Sequence, residues 1–238
     1  MGSATNKGVL YLLPAWLGDA GGVELMPSAN VAIAERITLY FAEHERTARA
    51  MLKRLSPQID MKALEIYRLD KDTTSEEVEE MAALLATRDG AIMSEAGMPC
   101  IADPGARLVG AAHRRGIRVI PLAGPSSLLL ALAASGLNGQ HFIFHGYLPR
   151  DGGARRKAIR ELETRSAAEG GAQLFIETPY RNSAMIADLL ATCHERTLLC
   201  IAASIGQEDE MIRTLTIADW RGAAPAIDDR PAVYIIQR

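Results

Sequence analysis

Four polar side chains stand on glycine- and proline-rich loops within residues 91–136: Glu95, Asp103, Ser126 and Ser127. Glu95 lies in Ser94-Glu95-Ala96-Gly97, Asp103 precedes Pro104-Gly105, and the serines follow Ala123-Gly124-Pro125. Glycine and proline impose tight, preorganised backbone, so these groups are held in place for a ligand. Each also has a purely structural reading. Either serine could cap the following helix, and Asp103 with Pro104 could open one. Two such loops in succession point to opposite walls of one small-molecule cleft. On residue types alone the block reads as a nucleotide or phosphate site. Two further clusters pair carboxylates with arginine, Glu43-His44-Glu45-Arg46 and Glu177-Thr178-Pro179-Tyr180-Arg181; the bland alternative for each is an ion pair. Arg150, Arg155, Arg156 and Lys157 lie among glycines. They suit either a nucleic-acid backbone or a solvated loop and helix start.

Other chemistries have little support. His44, His113, His141, His145 and His194 are scattered, and no HExxH or clustered ligand set implies a metal. Cys100, Cys193 and Cys200 are odd in number and lack CxxC spacing, which argues against disulfides and zinc. No GxGxxG follows the first strand, since Gly18-Asp19-Ala20-Gly21-Gly22 is too irregular.

The elements that must position these groups follow parallel-sheet grammar. In the central stretch a strand at Ala91–Met93 leads to a loop and an amphipathic run, Arg107–Arg115. A strand at Ile117–Leu122, a second loop and an apolar helix closed by Gly136 follow. Both loops leave the carboxyl ends of strands, where open α/β sheets place ligands. Upstream, strands are expected at Val9–Leu13, Ile37–Phe41 and Leu64–Leu69. Helices are expected at Val31–Glu35, from Glu43 to Pro57, and from a Thr74/Glu77 capping box through Leu85. Downstream, strands are expected at Phe142–Phe144, Leu174–Glu177, Leu198–Ala203, Met211–Thr216 and Ala232–Gln237, with a helix over Tyr180–His194. Consecutive strands near the end predict a mixed second sheet. The expected architecture is therefore two α/β domains, residues 1–122 and 123–238.

The 238 residues, 48% hydrophobic, suffice for one large core or two modest ones. A net charge of −3 argues mildly against a nucleic-acid partner without excluding a local basic patch. No apolar run is long enough to span a membrane, and the polar start has neither a signal-peptide core nor a good myristoylation pattern. A cytoplasmic location is expected.

The blocks SEAGMPCIADPG (94–105) and PLAGPSSLLLALAASG (121–136) resemble the tetrapyrrole methylase family of S-adenosylmethionine-dependent methyltransferases. Within it they look most like the branch that 2′-O-methylates a cytidine in small-subunit ribosomal RNA. That branch shows S-D-A-G-x-P-x-x-S-D-P-G, then P-x-P-G-P-S-A, then G-F-L-P, and Gly146-Tyr147-Leu148-Pro149 stands in the right order. The resemblance implies two α/β domains of the tetrapyrrole methylase type, with S-adenosyl-L-methionine in the cleft between them, and a homodimer. It implies cofactor contacts at Pro14, Glu95, Ala96, Gly97, Ile101, Ser126 and Ser127. Weaker placements at strand ends are Thr178, Ala203, Pro231 and Ala232. The first domain would carry the acceptor side and part of the cofactor site, and the second the rest.

Methyl transfer from a sulfonium asks the protein to align the acceptor and to accept its proton. Glu43, Glu45 and Glu177 are the candidate proton handlers, and Arg46 and Arg181 could grip an acceptor phosphate. The chain departs from the family at four places. A different loop, Ala15–Gly22, replaces G-N-x-x-D, and EHER (43–46) replaces E-D-T-R. Glu95 replaces the aspartate of D-A-G, and Asp229-Arg230-Pro231 replaces K-G-E. The leading expectation is a methyltransferase acting on ribosomal RNA or the small ribosomal subunit, with no metal. The alternatives are a methyltransferase for a tetrapyrrole or other small molecule, and a non-catalytic S-adenosylmethionine-binding protein.

Overall fold

The computed structural model describes residues 7–19 and 26–238. The polar start and the glycines at 21 and 22 lie outside these residues. The chain divides into two compact units, Met1–Pro125 and Ser126–Arg238.

The first unit alternates strand and helix: β1 (Val9–Leu13), α1 (Ser28–Arg36), β2 (Leu39–Ala42), α2 (Glu45–Leu55), β3 (Glu65–Arg68), α3 (Ser75–Leu84), β4 (Gly90–Met93), α4 (Ala106–Arg114) and β5 (Arg118–Pro121). The five strands form one sheet in the order β3-β2-β4-β1-β5, every pair parallel. Strands covered on both faces need apolar residues at every position, and all four residues of both β2 and β4 are buried. Tyr11, Leu13, Tyr40, Ala91 and Met93 pack with Ala34, Ala48, Leu52 and Leu55 on the face of α1 and α2. The alternate residues Leu10, Leu39, Phe41 and Ile92 pack with Val78, Met81, Leu108 and Ala111 of α3 and α4. The Thr74/Glu77 capping box forms as expected.

The second unit runs α5 (Ser127–Ser135), β6 (Phe142–Tyr147), α6 (Gly152–Glu169), β7 (Ala172–Glu177), α7 (Asn182–Thr192), β8 (Leu198–Ala203), β9 (Met211–Thr216), α8 (Ile217–Trp220) and β10 (Ala232–Gln237). Its sheet has the order β6-β7-β10-β8-β9. Only β6 and β7 pair in parallel; β10 is antiparallel to both its neighbours, and β9 to β8. This is the mixed sheet that the clustered C-terminal strands predict. Phe175 and Tyr234 stack at 5.7 Å between centroids, and Trp220 donates Nε1–H to Leu199 O at 2.8 Å, inside a core shared with α6 and α7.

Two local expectations are corrected. The helix expected from Tyr180 starts at Asn182, after a separate 3-10 turn, Pro179–Arg181. Buried Asn182 ties that start to the carbonyls of Ile227 and Arg230. The strand expected from Ile37 begins at Leu39, because Ile37 is the extended residue that ends α1.

Gly124 is fixed by close approach. A Cβ there would lie 2.2 Å from Pro14 Cγ and 2.4 Å from Pro14 Cβ. Gly124→Ala should cost about 1–3 kcal/mol through overpacking, read as a lower urea midpoint with an unchanged slope.

Candidate functional site

In the first unit, three strand-end segments converge. Ala15, just past β1, and Gly97, past β4, form a bridge with Ala15 N–H to Gly97 O at 2.9 Å and the reciprocal bond at 3.2 Å. Buried Ser94 donates to the same Gly97 carbonyl at 2.7 Å. The Pro14 ring lies against Gly124, beyond β5, and buried Asn30 reaches Ala123 O at 2.8 Å. Gly97 has φ +72°, and a Cβ on it would come to 3.3 Å from Pro125 O. β1 and β4 are neighbours whose chains leave for opposite sides of the sheet, β1 to β2 and β4 to β5. Such a reversal is where doubly wound sheets bind ligands. The Gly97 and Gly124 segments thus meet the end of β1 through the Ala15–Gly97 backbone bridge and the Pro14 ring.

The loop between Gly97 and α4 is conformationally expensive. Cys100 (φ +68°) and Ala102 (φ +61°) are left-handed without being glycine, and Gly105 has φ +126°. Strain of this kind is characteristic of functional loops. Gly105, not Asp103, is the residue capping α4, and no side-chain bond caps that helix. Asp103 is therefore not a helix cap. Ser126 occupies the cap position of α5, yet its side chain makes no capping bond. Ser126 and Ser127 are both partly exposed at that helix start, while Ile101 is an exposed apolar side chain.

Carboxylates gather at the ends of β2 and β4. Partial burial raises the Asp103 carboxyl to about 6, and the charges of Glu43 and Glu95 add to this. Glu43 is raised by burial and then by Glu95, with His44 opposing. Glu95 is exposed, and its carboxylate accepts from His44 Nδ1–H at 2.7 Å. Ala96 beside it is exposed, as is Arg46 on the first turn of α2. Glu45 pairs with Arg49 at 2.8 Å, four residues on. A cavity of about 410 Å³ is lined by Leu69, Val78, Pro104 and Asp103 among others.

In the second unit the strand-end candidates fall in one row. Glu177 pairs with Ala232 across β7 and β10, and Ala232 pairs with Ala203 across β10 and β8. Pro231 precedes that row and accepts from Ser204 N–H at 2.9 Å. Thr178 follows Glu177, and its N–H donates to Glu177 Oε1 at 2.6 Å. Arg181 donates Nε–H to the same oxygen at 2.9 Å. The Glu177 side chain is wholly buried in this ion pair.

The basic run at 150–157 takes the second of its two readings, a helix start: it opens α6, capped by Asp151 accepting from Ala154 N–H at 2.8 Å. Arg155 is buried, with Nη2 2.6 Å from Asp188, and Arg156 holds the other Asp188 oxygen at 2.9 Å. Two of the four charges thus clamp α6 to α7, leaving Arg150 and Lys157 exposed. Sequence reasoning missed Asp188, Ser94 and Asn30. Asp188 and Asn30 stand among mostly apolar residues and Ser94 beside Glu95, and only its buried partner marks each one out. Asp103 was singled out as a polar loop group but without a role; its aspartate-proline-glycine context was the signal.

The parallel unit with its strand-end loops, followed by the mixed unit with its row of small residues, defines the class: a two-unit α/β protein of the kind that binds small molecules at strand ends. Residues 20–220 match the model of the Tetrapyrrole (Corrin/Porphyrin) Methylases. The chain belongs to the tetrapyrrole methylase family of methyltransferases. It is 32% identical over 214 residues to the ribosomal RNA small subunit methyltransferase I of Xylella fastidiosa, covering 90% of this chain and 74% of that one. It is 31% identical to the protein of that name from Micromonospora olivasterospora, covering 86% of this chain but 62% of the relative. Among solved structures, the methyltransferase CobJ matches with a TM-score of 0.59 at 21% identity, over 97% of this chain and 94% of that one. Uroporphyrin-III-C-methyltransferase from Thermus thermophilus matches with a TM-score of 0.52 at 17% identity, over the same shares. These structural likenesses concern the fold.

A carboxyl raised in the folded state holds its proton more tightly there than in the unfolded chain. The folded protein therefore loses stability as pH rises from about 4 through 6. Asp103→Asn should stabilise the protein by about 1 kcal/mol at pH 8, allowing for partial exposure. The gain should vanish near pH 4, as read from urea midpoints at the two pH values.

Proposed function

We propose that this protein transfers a methyl group from S-adenosyl-L-methionine to ribosomal RNA of the small subunit, at a ribose 2′-hydroxyl. The family match over residues 20–220 carries the methyltransferase part of this reading. The acceptor is proposed from the name shared by relatives about 30% identical.

The residues fit such a cofactor. In the first unit, Pro14, Glu95, Ala96, Gly97 and Ile101 are proposed to contact it, on loops that the Ala15–Gly97 bridge and the packing of Pro14 on Gly124 hold in place. In the second unit, Ser126 and Ser127 at the uncapped start of α5 and Thr178, Ala203, Pro231 and Ala232 at the strand-end row are the proposed contacts. The cofactor supplies an electrophilic methyl group on a sulfonium. The chain's own task is to align the acceptor oxygen and take its proton. Glu43 suits proton acceptance, because burial and Glu95 raise its carboxyl and make it a better base than an ordinary glutamate. Exposed Arg46 on the adjoining turn is proposed to hold an acceptor phosphate. Glu177 and Arg181 are proposed to bind substrate or cofactor as a pair.

Calorimetric titration with S-adenosylhomocysteine should give a Kd of roughly micromolar order. Ser126→Trp should weaken it at least a hundredfold while the unfolding midpoint stays unchanged. The protein should then methylate small ribosomal subunits from cells lacking it, with Glu43→Gln losing turnover but keeping the cofactor. No binding at millimolar ligand would refute the reading.

A further inference from the structure

The cavity of about 410 Å³ in the first unit is lined by the β3–α3 loop and by the loop that leads into α4. Its volume is within the range of about 300–1,000 Å³ that small-molecule pockets occupy. Buried Leu69 and Val78 and half-buried Pro104 give it apolar walls. Arg107, at the start of α4, donates to Thr73 O and, at 2.8 Å, to Ser75 Oγ, so the two sides of the cavity are tied together. A second cavity of about 390 Å³ shares Val78, Ala106 and Arg107 with it and reaches Arg114. The space therefore continues along α3 and α4.

The charged groups lining the first cavity differ in how far they are engaged. Asp70 accepts from Asp72 N–H at 2.9 Å and from the Thr73 hydroxyl at 3.1 Å, and pairs with Arg68. Among the described residues, the side chains of Asp103 and Lys71 make no hydrogen bond or ion pair. Lys71 is exposed and Asp103 half-buried. An apolar slot with one free carboxyl and one free cation suits a nucleotide. Its base packs on the apolar side chains and offers its edge to the carboxyl, while its phosphate meets the ammonium. Burial, and then the charges of Glu43 and Glu95, let Asp103 keep its proton up to about pH 6. Burial raises the Cys100 thiol on the same loop to about 11, so it stays neutral; Asp70, Lys71 and Arg107 are the charged groups around the cavity. A basic ring nitrogen can share the Asp103 proton, and the acidic surroundings favour positive charge on the base. Cytosine and adenine carry such a nitrogen beside an amine that donates to the second carboxyl oxygen. Uracil and guanine carry an N–H beside a carbonyl there and form neutral bonds, about half as strong as charge-assisted ones.

We propose that this cavity is a pocket for an amino-bearing base of the RNA acceptor, cytosine or adenine, with Asp103 reading the base edge and Lys71 holding the phosphate. This rests on the RNA methyltransferase reading and extends it from the ribose to the base. The test is titration of wild type, Asp103→Asn and Lys71→Ala with heptauridine RNA and with the same strand carrying cytidine or adenosine at its centre, at pH 5.5 and pH 8. S-adenosylhomocysteine serves as a separate probe. At pH 5.5 wild type should bind one substituted strand about tenfold more tightly than heptauridine; the strand preferred identifies the base. The preference should shrink as pH rises through 6, because free Asp103 then loses the proton that the complex keeps. Asp103→Asn keeps the shape without ionising, so it should lose the preference and its pH dependence while binding heptauridine like wild type. Lys71→Ala should weaken all strands alike. The wild-type pH profile decides the matter should a variant not fold. Strands that wild type binds equally, or not at all, or a preference that survives in Asp103→Asn, would overturn the pocket. With S-adenosylhomocysteine still bound, that result leaves the methyltransferase reading standing; wild type binding neither RNA nor S-adenosylhomocysteine would overturn both.

Discussion

The close backbone approach at the carboxyl edge of the parallel sheet is the constraint from which the first unit's chemistry follows. Ala15 and Gly97 bond reciprocally across the ends of β1 and β4, and Gly124 accepts the Pro14 ring against its bare Cα. Segments far apart in sequence are locked together by peptide groups, which hydrogen-bond wherever sterics allow. The side chains there are small because larger ones would prevent the contact. Polar groups rooted in such backbone, Ser94 and Glu95 among them, inherit its rigidity, and that preorganisation is what alignment of a reacting oxygen demands.

Charge is handled in two ways in the molecule. Arg155 and Arg156 neutralise Asp188 and so join α6 to α7. Glu43, Glu95 and Asp103 gather beside His44, and burial, with the neighbouring carboxylates adding to it, raises the carboxyls of Glu43 and Asp103. Compensated pairs of this kind hold elements together, whereas uncompensated groups are more often retained for chemistry. The Glu177–Arg181 pair falls between the two. Its charges balance, but its hydrogen-bonding capacity does not.

The departures from the family's motifs take on a physical meaning in the structure. His44, where the family has aspartate, bonds Glu95, where the family's aspartate is one carbon shorter. The longer carboxylate reaches an imidazole, so these two changes meet at one contact. Arg230, in place of the family's glycine before the last strand, donates to Ser204 Oγ at 3.0 Å and pairs with Asp209 at 3.0 Å, holding the segment that leads into β10.

Much of the fold was legible in the sequence. Alternating strand and helix patterns fix a parallel sheet, and β8 and β10 fall where apolar runs place them, because strands buried on both faces demand nearly unbroken apolar sequence. The two Gly/Pro loops were legible because backbone conformations that few residues tolerate leave a compositional mark. The fates of individual charges were not legible. Arg155 and Arg150 stand in the same basic run, yet one is buried against Asp188 and the other exposed. Asp103 reads as a helix cap, but burial in the fold, with Glu43 from another loop and Glu95 from its own adding to it, raises its carboxyl to about 6. Local sequence determines backbone preference, because that preference is settled among adjacent residues. Ionisation, pairing and unsatisfied hydrogen-bonding capacity depend on groups brought close from far along the chain, and those the tertiary structure alone decides.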